Sequence, residues 1–394
     1  MSSSNLVSVR LIQESVYGET PVAGNFKTAR FISESLSGTP TTVESQQIRT
    51  DRYSSGQVLT GLNVGGDLNF EFAKEDVIEL LISSAMMNTW QTFAVINVDL
   101  TIDIALKKIT RASGAWPVTL KKGDICTLSG FLNTENNTQI MVKSISSTTE
   151  IIYISGADLI NEVGTGTGIE QADKIEIGTT KISVSLEKAF IDLTTKAIIY
   201  TGMLVSSMSL AIQYGQIING TFTFSGNGYR EADTAGEFIT NGRTIDPAAT
   251  TQSMNGSVDM PFIASSAAGA FDVANFCIQS LNISLDNQLS TKTCIGEIAP
   301  TGYSPGTAAV AVELGSYLSN ENWATLAKKI TQEPFEVGGL VKNLDGWLGF
   351  YMPAVQTTSD DPSSGGANQE VTLEMSGTAR VGATGESPLT FFRS

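Results

Sequence analysis

The hydrophobic period of this chain changes abruptly after Phe72. From Gly61 to Phe72 apolar and polar residues alternate, with Leu68, Phe70 and Phe72 on one face and Asp67, Asn69 and Glu71 on the other. That pattern predicts a half-buried β-strand. From Lys74 to Met87 the spacing becomes helical. Val77, Leu80, Leu81, Ser84 and Met87 form one stripe, and Glu75 and Asp76 stand where a helix N-terminus favours negative charge. The same switch occurs again late in the chain. Thr307–Leu314 carries Val310, Val312 and Leu314 on one face. Ser319 or Asn320 then caps an expected helix with Trp323, Leu326, Ala327 and Ile330 on its apolar side.

The flanking segments extend the parallel. Ser33–Ser37 and Gln46–Thr50 read as extended before the first switch, and Gln279–Asn287 before the second. After the first come Ile182–Leu186 and a long hairpin, Ile198–Tyr214 with Ile218–Gly226. After the second come Pro334–Val337, Gly346–Gln356 and Glu370–Thr378. Strand, strand, helix, strand and long hairpin therefore occur twice, which predicts an internal duplication. Residues 97–172 interrupt the first copy. Their short strands at Val118–Ser129, Thr138–Ser144 and Glu150–Ser155 predict a small barrel or sandwich, standing apart as a knob on the outer face. The run Gly164–Gly168 lacks the Lys-Ser/Thr ending of a phosphate loop and reads as an exit linker. Polar residues 229–253 place a boundary near residue 245. The expected organisation is residues 1–96 with 173–245, an inserted domain 97–172, and a last domain 246–394. The fold class is mainly β, two tandem β-sandwich or barrel domains each flanked by one helix, plus the small β insert.

Composition narrows the function. With 41% hydrophobic and 16% charged residues the chain is a folded one. A net charge of −16 argues against a general nucleic-acid binder, which needs clustered Lys and Arg. The chain has no histidine, and so lacks the commonest general base and transition-metal ligand. Cys126, Cys277 and Cys294 are too few for a disulfide framework or zinc site and read as three small buried thiols. No apolar run approaches the ~20 residues of a membrane span. The opening MSSSNLVSVRLIQES has no basic head and apolar run, so no signal peptide and no membrane association are expected. Asp360 and Asp361, in a Gly/Ser-rich loop, read as solvated, and neither a metal, a cofactor nor an enzymatic activity is expected.

Several stretches carry a family resemblance. They are the arm Glu14–Pro21 (ESVYGETP), Arg30–Leu36 (RFISESL), Ser45–Arg52 (SQQIRTDR), Gly61–Leu68 (GLNVGGDL), the helix region ending at Trp90, and Ser280–Glu297 followed by Gly306–Ile330. In this order they resemble the tail tube proteins, or major tail proteins, of tailed bacteriophages, over most of the chain; residues 97–172 look like the small β insert of some members. The resemblance implies a virion protein, made in the host cytoplasm. Its rings stack into a tube whose inner strands close a β-barrel lumen. A duplicated tube domain implies trimeric, pseudo-hexameric rings, a hexamer being the other possibility. It implies contacts with tail tip, terminator and tape-measure proteins, and DNA passing through the lumen without specific binding. The runner-up is a secreted or surface β-domain, an adhesin or carbohydrate-binding module. Such modules show exposed aromatic clusters or a calcium loop, and neither is evident here.

The expected lumen-facing residues are Asp67, Asn69 and Glu71 in the first domain and Glu313, Glu370, Thr372 and Glu374 in the second, all on the polar phase of their strands. The loop Ser45–Ser55, with Arg49, Asp51 and Arg52, is the candidate inter-ring contact.

Overall fold

The computed structural model describes residues 3–51, 53–193, 195–359 and 361–394. Arg52 and Asp360, singled out above, lie outside the described residues. The first half runs β1 (Val7–Gln13), β2 (Ser37–Glu44), β3 (Gln57–Glu71) and α1 (Asp76–Met86). It resumes with β4 (Val184–Phe190), β5 (Ala197–Gln213), β6 (Asn219–Gly226) and β7 (Gly228–Ala232). The second half runs β8 (Phe262–Ser265), β9 (Ile278–Asp286) and β10 (Ala309–Tyr317). A 3-10 turn, Trp323–Ala327, leads into α2 (Lys328–Thr331). Then follow β11 (Phe335–Lys342), β12 (Trp347–Ser359), β13 (Pro362–Ser364), β14 (Val371–Ala379) and β15 (Thr390–Arg393).

Strand pairing follows one scheme in both halves. In the first, an inner layer runs β2–β3–β6–β5 and an outer layer β1–β4–β5–β7. In the second, the inner layer runs β9–β10–β14–β12/β13 and the outer β8–β11–β12–β15. The registers agree residue for residue. Leu68 faces Phe222 as Leu314 faces Met375, and Glu71 faces Asn219 as Tyr317 faces Thr372. β5 and β12 each belong to both layers. Each shifts register where it bends from one to the other, β5 between Val205 and Ser207 and β12 between Thr357 and Ser359. An extra residue there bends the strand and increases its twist. The two inner layers join directly, because the C-terminal part of β5 pairs antiparallel with β9, from Ser207 opposite Asp286 to Gln213 opposite Ser280.

One buried cluster runs through both halves, from Val9 and Leu68 in the first to Leu314, Phe350 and Met375 in the second. Phe70 stacks on Phe222 at 4.6 Å. Gly220 leaves the room for this: a Cβ there would stand 2.6 Å from the Phe70 ring.

The helices differ from expectation and from each other. α1 buries Val77, Ile78, Leu81, Ile82, Ala85 and Met86, a wider stripe than predicted, while Leu80 is only half-buried. Ser84 Oγ donates to Ile182 C=O at 2.6 Å and accepts from Val205 N–H at 3.2 Å, fixing the helix between layers. The second helix is short and begins as a 3-10 turn, so its side chains do not follow the i, i+3, i+4, i+7 stripe. Trp323 is 62% and Ile330 82% exposed, which overturns the expected packed face. The buried contacts come instead from Thr325 and Asn322, whose amide donates to Ser316 Oγ and Tyr317 C=O. Two further expectations fail. Gln46–Thr50 is not a strand but part of the connection between β2 and β3. Of the thiols only Cys126 is buried, and Cys277 and Cys294 are exposed.

The segment Ile96–Gln171 forms an eight-stranded sheet with its own apolar cluster around Leu100, Ile109, Leu128 and Ile151. Its two ends meet: Gln91 N–H donates to Lys174 C=O at 2.8 Å and Lys174 N–H to Gln91 C=O at 3.0 Å. It is not a knob standing apart. Ile125, Met141 and Ile154 share a buried cluster with Phe262, Phe271, Leu340, Trp347, Tyr351 and Phe392 of the second half. Lys107 and Lys143 both pair with Asp272, at 3.0 and 2.8 Å. The segment leaves the chain in the first half and docks on the second.

Candidate functional site

The alternating strands of the inner layers have an apolar side in the core and a polar side turned away from it. Because directly opposed residues of an antiparallel pair share a face, the registers trace the polar side across both halves. One row runs Ser33, Asn69, Thr221, Ser209, Ser284, Ala311, Thr378. The next runs Glu71, Asn219, Ala211, Asn282, Glu313, Ser376, Ser359. Asp67, Thr223, Ser207 and Asp286 form a third, and Gln213, Ser280, Gly315 and Glu374 a fourth.

This face is made mainly of hydroxyls, amides and carboxylates, with the small residues Ala211, Ala311 and Gly315 among them. Among the described residues, none of the strands that build it contains a lysine or arginine. Its carboxylates are Asp67, Glu71, Asp286, Glu313 and Glu374, with no cation on the same strands. Short hydrogen bonds hold the side chains in place. Asn69 amide donates to Ser33 Oγ at 2.7 Å and its oxygen accepts from Thr221 Oγ1 at 2.6 Å. Asn282 amide donates to Glu313 at 3.3 Å. Glu71, at the end of its row, accepts from Ser253 Oγ at 2.5 Å.

The sequence-derived candidates fall as follows. Asp67, Asn69, Glu71, Glu313, Thr372 and Glu374 lie on the polar face, Thr372 opposite Tyr317. Glu370 lies just before β14, outside any strand, and is exposed. Sequence reasoning missed Asp286, Ser209, Asn282 and Ser284. Their signal was the same alternation, since β9 alternates buried and exposed residues from Leu281 to Asp286.

The loop after β2 projects as a hairpin whose strands, Thr39–Glu44 and Gln57–Thr60, are exposed on both faces. Arg49 and Asp51 pair with each other at 2.5 Å inside this loop, and the guanidinium holds the Asp51 carboxyl below its ordinary range. Near its tip Ile48 is 100% and Tyr53 73% exposed.

A separate cleft of about 650 Å³ lies between the inserted segment and the second half. Part of its polar lining is engaged internally, with Lys122 paired to Glu336 at 2.5 Å and Tyr351 OH donating to Glu336 at 3.2 Å.

A family model described as phage tail tube protein matches residues 4–379 of the chain. A search of curated proteins found no match.

Proposed function

The chain belongs to the phage tail tube protein family, and we propose that the polar face of its inner layers is the lumen wall of a tube through which DNA passes from capsid to host. It is a structural component of the virion tail. The observation that carries the reading is the continuous polar face without lysine or arginine, crossing both halves on one sheet. A basic wall would hold the duplex by counterion release, with a grip that rises steeply as salt falls. A wall of hydroxyls and carboxylates repels phosphates over about 8–10 Å at physiological ionic strength, and so leaves DNA free to slide.

The matching registers of the two halves support two tube domains in tandem, 1–96 with 173–245 and 246–394, the segment 97–172 being an outward insert. Three chains would then close one pseudo-hexameric ring. The β2–β3 hairpin, with Arg49 and Asp51 in its loop, would reach the neighbouring ring. Tail tip, terminator and tape-measure proteins would be the partners at the ends and in the lumen.

Electron microscopy of the purified protein tests the reading. Rings or tubes with an open lumen are expected. Dispersed monomers at high concentration would overturn it. Native mass spectrometry reads the stoichiometry separately: six chains per ring would remove the trimer and leave the tube.

A further inference from the structure

Each half presents one strand edge that its counterpart uses and it does not. In the first half, the C-terminal part of β5 pairs with β6 on one side and β9 on the other. Its counterpart, the end of β12 with β13, pairs with β14 on one side only among the described residues. In the second half, β9 pairs with both β10 and β5. Its counterpart, Ser33–Glu34 with β2, pairs with β3 only among the described residues. The β5–β9 joint is thus made once inside the chain, and among the described residues the two edges that would make it a second time have no further strand partner. Leu36 is engaged within the chain, its N–H donating to Glu34 Oε2 at 3.0 Å and its C=O accepting from Tyr200 OH at 2.9 Å.

We infer that these two edges pair with each other between neighbouring copies, antiparallel, in the register that the β5–β9 joint dictates. The inference rests on the tube reading and deepens it by fixing which residues meet. The counterparts follow from shared partners. Ser207 faces Thr223 as Ser359 faces Ser376, and Ala211 faces Asn219 as Ser363 faces Thr372. Likewise Ser284 faces Ala311 as Ser37 faces Gly65, and Leu281 faces Leu314 as Glu34 faces Leu68. Carrying Ser207–Asp286, Ala211–Asn282 and Ile212–Leu281 over to the open edges places Ser359 opposite Thr39, Ser363 opposite Ser35, and Ser364 opposite Glu34. Residues on the polar side of one copy then continue those of the next, and no strand of the inner layers keeps a bare edge.

The two joints are not equally strong. Asn287 N–H donates to Ser206 C=O and Tyr214 N–H to Gln279 C=O, both at 2.9 Å, which sets the phase of the β5–β9 ladder. In that phase Leu210 points its N–H at β9. Its counterpart is Pro362, which has none, and the counterpart of Asn287 is Pro40, which has none either. Prolines on an open edge discourage indiscriminate strand addition. They also make the joint between copies weaker than the one within the chain, so rings should come apart at this seam before the halves separate.

Paired cysteines test the register. In a Cys277→Ser, Cys294→Ser background, Ser35→Cys with Ser363→Cys puts two thiols at a directly opposed, non-hydrogen-bonded position, where Cβ atoms stand about 4.5–5.5 Å apart. Mild oxidation of assembled particles is expected to give covalent dimers and higher closed species between chains. Ser37→Cys with Ser363→Cys, two residues out of register, is expected to give few. If the first pair fails to assemble, Thr39→Cys with Ser359→Cys reads the same register. Tubes that form but crosslink in the shifted pair, or in neither matched pair, overturn the seam and leave the tube reading standing. An unsubstituted chain that forms no ring or tube overturns the tube reading itself.

Discussion

Asp124 and Lys174 are the most deeply buried ion pair of the described chain, 5% and 4% exposed and 3.2 Å apart, at the root of the inserted segment. Gln171 amide donates to the same carboxylate at 2.7 Å. Burial pushes the Asp124 carboxyl up to about 6, against the opposing pull of Lys174. Asp124→Asn removes the nearer carboxylate from the buried Lys174 ammonium and leaves it only Glu176, at 3.8 Å, a change that costs up to about 3–5 kcal/mol; the melting temperature at pH 7 should fall accordingly. The pH dependence has a definite sign. A folded value above the ordinary ~3.9 means that the native state binds the proton more tightly. This group's contribution to stability is full below about pH 4 and is lost as pH rises through about 6. In Asp124→Asn that part of the slope should vanish, as melts from pH 4 to 7 would show. None of this was legible in the sequence. Asp124 and Lys174 stand far apart in the chain, and only the fold brings them together.

At the scale of elements, the two helices separate what periodicity tells from what it does not. Leu81 is 1% exposed on α1, and Leu81→Ala should cost about 2–5 kcal/mol, with a smaller loss for the half-buried Leu80→Ala. Trp323→Ala, at an exposed site, should change stability by no more than about 0.5 kcal/mol in the isolated chain. Chemical denaturation of the three variants decides the ranking. The apolar spacing of the second segment is as regular as that of the first, yet only one of them forms a full helix. Asn322 ties the start of the second to Tyr317 and Ser316, and the resulting 3-10 turn rotates Trp323 and Ile330 outward. Strands fared better because their period is insensitive to such a turn: the polar phase holds for Asp67, Asn69, Glu313 and Glu374 on paired strands. Glu370 was lost only because β14 starts one residue later. The inserted segment was legible as a β unit, but not its docking, since Ile125, Met141 and Ile154 look like ordinary core residues in a single sequence. Replacing residues 97–172 by a short Gly/Ser linker would bare Phe262, Phe271, Leu340, Trp347 and Tyr351. The product should melt lower and elute as aggregates on size exclusion, even though the two chain ends are already adjacent.

On the scale of the whole molecule, the sheet that joins the halves would, in the proposed tube, set both the wall and the assembly. Glu374→Lys places a cation on the polar face without touching the core, because its neighbours Leu373 and Met375 carry the burial. Tubes should still form, and DNA ejection from particles should slow, more at about 50 mM than at about 200 mM salt. Ejection rates that do not change at low salt would remove Glu374 from the lumen. The inserted segment has a consequence of a different kind. It interrupts one half and rests on the other, so each chain bears it once while presenting the inner layer twice. Under the trimeric assembly, the bore repeats every sixth of a turn and the outside every third. Sliding one ring by a sixth of a turn on the next would look unchanged from within and different from without. In that assembly the inserted segment would mark the threefold phase of each ring, and averaged images of the tube should lose the inserted segment, but not the wall, whenever sixfold symmetry is imposed on them.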